Sequence, residues 1–152
     1  MPTTTLNTGT ISLSVAAIKE SIYALSALHA YLSDEKDALP PILTRAHSSA
    51  LTGLIRQGAI YVAMELSDLG MDIVSTDEDM VVVSLTAPGD VIASLRHALE
   101  TAVEMRVMQC CFLSHDSGVA GRYASDCAKQ VEMMRNKAGA NTEVPRLRPV
   151  RY

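Results

Sequence analysis

Four side chains in the C-terminal half of the sequence have the right types for metal binding or nucleophilic chemistry: Cys110, Cys111, His115 and Cys127. Cys111 and His115 are four residues apart, so on a helix they would face the same side and could ligate one ion. A tetrahedral zinc site would recruit Cys110 and Cys127 as well. Adjacent cysteines do not readily serve one such site, however, and free cysteine is commonly a small buried apolar side chain. We therefore expect no metal or cofactor.

Catalysis by a cysteine nucleophile is also disfavoured by the sequence around it. A reactive thiolate needs a base and an exposed, electropositive setting. Cys110 and Cys111 instead lie in the most apolar stretch of their predicted helix, next to Phe112 and Leu113. The sequence also lacks a G-x-S-x-G motif and a glycine-rich phosphate loop. An enzyme, or a protein that binds a metal or small ligand in this cysteine and histidine region, remains the alternative interpretation.

The charged side chains are divided between an acidic middle and a basic end. Between residues 65 and 104 the acidic residues are opposed only by Arg96, and three of them are consecutive: Asp77, Glu78 and Asp79. The last residues alternate cationic and apolar side chains, namely Arg146, Leu147, Arg148, Val150, Arg151 and Tyr152. Such a layout favours contacts between neighbouring copies, in which a basic segment lies on an acidic surface. A solvated acidic face and an unstructured tail would produce the same charge pattern.

Composition excludes several other classes of protein. The chain has 152 residues and is 48% hydrophobic and 20% charged, which is typical of one folded domain. The net charge of -4 argues against nucleic-acid binding as the main role. No segment approaches the roughly 18 apolar residues of a membrane span, and the N-terminus lacks the features of a secretory signal. Three cysteines, an odd number, do not form a disulfide framework, so we expect a cytoplasmic origin.

Apolar periodicity predicts four helices. The first begins near Ser12 or Ser14 and ends before the prolines at 40 and 41, and the second covers residues 39–69 and closes at Gly70. Between the second and third helices, two β-branched runs flank the acidic residues 77–79 and predict a hairpin at about residues 71–85. The third helix is predicted at residues 91–114. The fourth covers residues 119–137 and ends at Gly139.

The predicted fold is therefore mainly α, a four-helix bundle-like domain with an inserted β-hairpin and extended arms at both ends. Residues 1–11 are rich in threonine and are predicted to be an N-terminal arm. Residues 12–139 form the helical domain in this prediction. Residues 140–152 include Pro145 and Pro149, which favour an extended C-terminal arm.

This layout of a small helical domain, a hairpin and an extended C-terminal arm resembles the head–tail connector or neck adaptor proteins of tailed bacteriophages. The resemblance implies a non-catalytic structural subunit of the virion, assembled in the host cytoplasm. Its implied partners are identical subunits in a ring, a portal protein and a tail component. The predicted partner-binding residues are the basic arm (Arg146, Leu147, Arg148, Val150, Arg151 and Tyr152) and the hairpin tip (Asp77, Glu78 and Asp79). A regulator that binds a helix through a methionine-rich groove is a further possibility.

Overall fold

The computed structural model describes residues 6–32 and 40–140. As predicted, the described chain is mainly helical. It contains five α-helices and one three-stranded antiparallel sheet within these ranges. The elements in chain order are β1 Leu6–Ser14, α1 Val15–Leu32, α2 Ser48–Glu65, β2 Asp72–Thr76, β3 Met80–Pro88, α3 Gly89–Ser94, α4 Arg96–Phe112 and α5 Ser117–Ala140. Short 3₁₀ turns at Pro41–Leu43, Arg45–His47 and Ser67–Leu69 flank α2. The finer prediction, a four-helix bundle-like domain with an inserted β-hairpin, is not confirmed by this arrangement.

The sheet has the order β1-β3-β2, so β3 is the central strand. The hairpin predicted at about residues 71–85 corresponds to β2 and β3, and its second strand extends to Pro88. The predicted N-terminal arm is wrong from residue 6 onward, because β1 pairs with β3 along its whole length, from Leu6 opposite Pro88 to Ser14 opposite Met80. The reason is an alternation that the helical interpretation overlooked: Ile11 and Leu13 are buried between polar neighbours.

Two helix starts are set by side-chain caps. The first helix begins at Val15, where the Ser14 hydroxyl accepts a hydrogen bond from the Ala17 amide at 3.3 Å, so Ser14 caps it and Ser12 does not. The fourth predicted helix is α5, and it begins two residues earlier than expected. The Asp116 carboxylate accepts hydrogen bonds from the Gly118 and Val119 amides and so caps its first turn.

Three predicted helix boundaries require correction. Residues 39–69 do not form one helix, because 3₁₀ turns occupy both ends and only Ser48–Glu65 is α-helical, while residue 39 lies outside the described ranges. The predicted third helix is divided at the buried Leu95 into α3 and α4. Gly139 does not end the last helix, which continues to Ala140. Gly70 has the predicted left-handed conformation, with a φ of 68°, but it closes the 3₁₀ turn Ser67–Leu69, because α2 already ends at Glu65.

The core lies between the helices and one face of the sheet. Val81, Val83 and Leu85 of the central strand are buried on this face, beside Ile11 and Leu13 of β1. The helical side of the core contains Leu99, Val103, Val107, Met108 and the only phenylalanine, Phe112. At Gly58 the backbone of α2 approaches α4 closely, because an added Cβ would lie 3.3 Å from the Val107 side chain. Gly58 therefore marks a close approach of these two helices.

Two glycine substitutions should have opposite effects on stability. Gly70→Ala places a Cβ at a φ of 68°, and we expect it to lower the free energy of unfolding by about 1–2 kcal/mol. Gly53→Ala is the matched control, because Gly53 lies inside α2 with nothing within 4 Å of an added Cβ. There the loss of backbone entropy in the unfolded chain should raise stability by about 0.5–1 kcal/mol. Urea denaturation of both variants measures the difference, and equal effects would contradict this account of Gly70.

Candidate functional site

The predicted cysteine and histidine region does not form a converging set of ligands. Cys110 is exposed on α4, whereas Cys111 and Cys127 are buried. The Cys127 thiol donates a hydrogen bond to the Ala102 carbonyl oxygen at 3.4 Å, which gives it a structural partner between α5 and α4. Within residues 6–32 and 40–140, no three histidine, cysteine or acidic side chains are placed to hold a metal ion together.

His115 belongs to an aromatic cluster around Phe112. The centroid of the Phe112 ring lies 6.2 Å from that of His115 and 5.0 Å from that of His29, both in edge-on arrangements. On another side, Tyr123 stacks on Phe112 with ring centroids 5.8 Å apart. These contacts join the ends of α1, α4 and α5. The turn after α4 therefore places the exposed His115 beside an apolar ring.

Burial lowers the reactivity of the two internal thiols. It raises the pKa of Cys111 to about 12, with a smaller contribution from the neighbouring Cys110. Burial also raises the pKa of Cys127, and it is the largest of the influences on that pKa. A thiol with a raised pKa stays protonated at neutral pH, whereas both metal binding and nucleophilic attack require the thiolate.

The hairpin tip, defined as Asp77, Glu78 and Asp79, is held in one geometry by its own hydrogen bonds. The Asp77 carboxylate accepts hydrogen bonds from the Met80 and Asp79 amides, each at 2.7 Å. These two bonds, with Met80 contributing more, lower the pKa of Asp77. The Asp77 amide also donates to the Met80 carbonyl at 3.0 Å, so the turn is closed by backbone and side chain together.

Two contacts attach the hairpin tip to the helical layer. The Val15 amide at the start of α1 donates a hydrogen bond to the Asp79 carbonyl oxygen at 2.9 Å. From α2, the Arg56 Nε donates to the Asp77 carbonyl oxygen at 3.2 Å. The three tip side chains nevertheless remain exposed to solvent. The tip is thus an exposed acidic turn that is hydrogen-bonded to both α1 and α2.

A polar cleft lies beside the hairpin tip and contains cations that sequence reasoning missed. It is lined by Lys19, Ser49, Thr52, Gly53, Arg56, Glu78 and Asp79. The Lys19 ammonium donates a hydrogen bond to the Ser48 hydroxyl at 2.8 Å. Lys19 and Arg56 lie on different helices, far from the tip in sequence, so local charge counts could not reveal their proximity. They balance part of the acidic charge on this side of the tip.

A second cleft, of about 230 Å³, lies between α2, α4 and α5 and was not predicted. The Arg106 guanidinium sits 3.8 Å from the centroid of the Tyr61 ring beside this cleft. Arg135 donates hydrogen bonds to Asp68 at 3.1 Å and to the Glu65 carbonyl oxygen at 2.8 Å, which ties α5 to the end of α2. Both cations therefore have partners within the fold and serve packing between these helices.

The predicted basic arm lies outside the described residues. Its members Arg146, Leu147, Arg148, Val150, Arg151 and Tyr152 follow α5, whose last described residue is Ala140. Of the predicted partner-binding residues, the structure therefore places only the three acidic residues of the tip. Their role as a binding surface stays a prediction.

Within the described ranges, no helix combines the length and apolar content needed to cross a bilayer. Comparison with known proteins found no match among family models, curated proteins or solved structures. The function must therefore be inferred from the surfaces and side chains of the chain itself.

The exposure of the three thiols predicts their reactivity. Under native conditions at pH 8, iodoacetamide should label Cys110 and spare Cys111 and Cys127, because the latter two are buried and their pKa values are raised. In denaturant all three cysteines should react. Mass spectrometry of the intact chain and of its peptides counts and locates the labels. Rapid native labelling of Cys111 would contradict this account of the α4 environment.

The partly buried position of Glu104 should make the stability of the fold depend on pH. Burial between α4 and α1 is the main cause that raises the pKa of Glu104, and Glu100 adds to it. A raised folded-state pKa means that the favourable contribution of Glu104 exists below its unfolded pKa and is lost as pH rises through the folded value. Glu104→Gln should therefore raise the thermal midpoint at pH 7 and lose this advantage near pH 3. The exposed control Glu78→Gln should show a smaller change at pH 7, and an equal effect would contradict the role of burial.

Proposed function

We propose that this protein is a structural assembly subunit with no catalytic role. In this proposal it is a head–tail connector or neck ring protein of a tailed bacteriophage, the class that its sequence layout resembles. Its partners would be identical subunits, a portal protein and a tail component, and its location the virion after assembly in the host cytoplasm. The observation that supports an assembly role best is the rigid, exposed hairpin tip.

A pre-formed tip is suited to binding because little conformational entropy is lost when a partner docks on it. The Asp77 carboxylate is occupied by the Asp79 and Met80 amides, so it shapes the turn. This leaves the side chains of Glu78 and Asp79 to face solvent on a fixed backbone. The contacts from Val15 and Arg56 prevent the tip from moving away from the helical layer.

The complementary partner in this proposal is the basic arm of a neighbouring copy. Its arginines would pair with the tip acids, and its apolar residues would bury area beside them. A tip that receives the arm of the next copy makes a head-to-tail contact, and repetition of such a contact closes a ring when the rotation allows it. Several exposed apolar side chains offer further contact area: Tyr31, Leu32, Met64 and Leu113 are 85%, 72%, 70% and 65% exposed.

The state of the cysteines favours assembly over the alternative of an enzyme or a metal or small-ligand protein. That alternative uses the region of Cys110, Cys111, Cys127 and His115. Cys111 and Cys127 are buried and protonated at neutral pH, and His115 packs on Phe112. Catalysis by either buried thiol would require a different arrangement of α4 and α5.

Removal of residues 141–152 tests the role of the arm. We expect the shortened chain to keep its helical circular dichroism, because the described core ends at α5, and to lose its higher-order association in sedimentation velocity. Unchanged assembly would contradict the arm's role.

A charge-matched pair tests the tip in the full chain. Asp79→Asn removes a tip charge and should weaken association about two- to fivefold, which is typical of one exposed ion pair. Asp126→Asn removes the same charge from the exposed face of α5 and should have no effect on association. Equal effects of the two substitutions would show that net charge, and not the tip, governs assembly.

A further inference from the structure

Among the strands of residues 6–32 and 40–140, β1 has a neighbour on one side only, and its other edge presents backbone groups in a defined pattern. The Val15 amide bonds to the Asp79 carbonyl, which continues the β1–β3 register by one residue. Backbone groups alternate in direction along an antiparallel strand, so the odd-numbered residues of β1 bond to β3. The amides and carbonyls of Thr8, Thr10 and Ser12 therefore point away from β3, toward the free edge.

The strand β1 lacks the usual features that protect an edge from pairing with another chain. Its nine residues, LNTGTISLS, include no charged residue and no proline, and its register with β3 has no bulge. The other edge strand, β2, is protected in three ways. It has five residues, it begins with Asp72, and its register is interrupted between Ile73 and Ser75. Pairing is therefore expected at β1 rather than at β2.

The helical layer supports β1 from one side only. Gly9 lies so close to Ile92 of α3 that an added Cβ would be 2.6 Å from the Ile92 Cδ1 atom. On the opposite face, Thr8 and Thr10 are exposed beside Ser84 and Thr86 of the central strand. Within the described ranges, α3 therefore contacts the inner face of the strand, while the outer face carries exposed side chains and no strand pairs with the outer edge.

We propose that β1 pairs in antiparallel fashion with β1 of a second copy, about a two-fold axis at Thr10. This inference rests on the proposed assembly function and assigns a self-association surface to it. Thr10 would face Thr10 of the second copy, and Thr8 would face its Ser12. The result is a six-stranded sheet with both helical layers on the same face.

A second copy fits this edge better than a partner of another chemistry. Two-fold pairing matches small hydroxyl side chains with each other, which is a favourable cross-strand combination and places no like charges together. Pairing of residues 8–12 would form about six backbone hydrogen bonds. The strand carries no charge that would attract a basic or an acidic peptide. Its pattern of side chains is self-complementary, and an isologous dimer requires such a pattern.

Two substitutions that introduce opposite charges at Thr10 of the full-length chain test the proposed pairing. Thr10→Lys and Thr10→Glu each place like charges opposite one another across the two-fold axis, so each should weaken dimerisation about two- to fivefold in sedimentation equilibrium. An equimolar mixture should recover the dimer, since lysine then faces glutamate. The control Thr86→Lys adds the same charge on the same open face but on the central strand, and it should leave dimerisation unchanged.

The outcomes separate this inference from the proposed role of the arm. A monomeric wild-type chain, or a Thr10→Lys variant of unchanged mass, would overturn edge pairing, whereas removal of residues 141–152 reports on the arm alone. Equal dissociation by Thr86→Lys would indicate stacking of open faces and would also overturn it. In the wild-type dimer, the Thr8, Thr10 and Ser12 amides should be protected from hydrogen exchange. In the Thr10→Lys variant, these amides should exchange rapidly while those of Ile11 and Leu13 stay protected.

Discussion

The central strand β3 imposes the main constraint on this fold. Its apolar face, which includes Val81, Val83 and Leu85, is fully buried, and its backbone is hydrogen-bonded on both sides. A hairpin alone is marginally stable in water, so the β2–β3 pair needs a third strand and a covering layer. The N-terminal strand β1 supplies the third strand and the helices supply the layer. The sheet thereby joins the N-terminal strand to the β2–β3 hairpin, which is distant from it in sequence.

The same constraint fixes the surfaces that we assign to assembly. Because β1 leads directly into α1, the amide of Val15 reaches the Asp79 carbonyl and ties the hairpin tip to the helical layer. The acidic side chains are consequently presented on a rigid support. Because β3 is central, β1 becomes an edge strand whose free backbone groups come from uncharged residues. A tip that receives a basic arm would make a heterologous contact, and an edge that pairs with its copy would make an isologous one, so one subunit would have two different contacts.

The packing of α4 against α5 determines the chemistry of the cysteines. Facing positions on these helices bury Cys111 and bond Cys127 to the Ala102 carbonyl, so both thiols contribute to the core. The sequence pattern correctly indicated an apolar environment for Cys111, because the residues beside it are apolar. It could not indicate that Cys110, the adjacent residue, would be exposed. That difference depends on which side of α4 the other helices cover.

By itself, the sequence determined the mainly helical character, the hairpin with its acidic tip, and the left-handed turn at Gly70, because these follow from local periodicity and turn chemistry. It did not determine that residues 6–11 form a strand, that Lys19 and Arg56 lie beside the tip, or that Arg135 joins α5 to the end of α2. The alternation around Ile11 and Leu13 is a local signal for a strand, but it does not identify β3 as the partner, because β3 is distant along the chain. The partners of Lys19, Arg56 and Arg135 were likewise decided by tertiary structure, since they too lie far away in sequence.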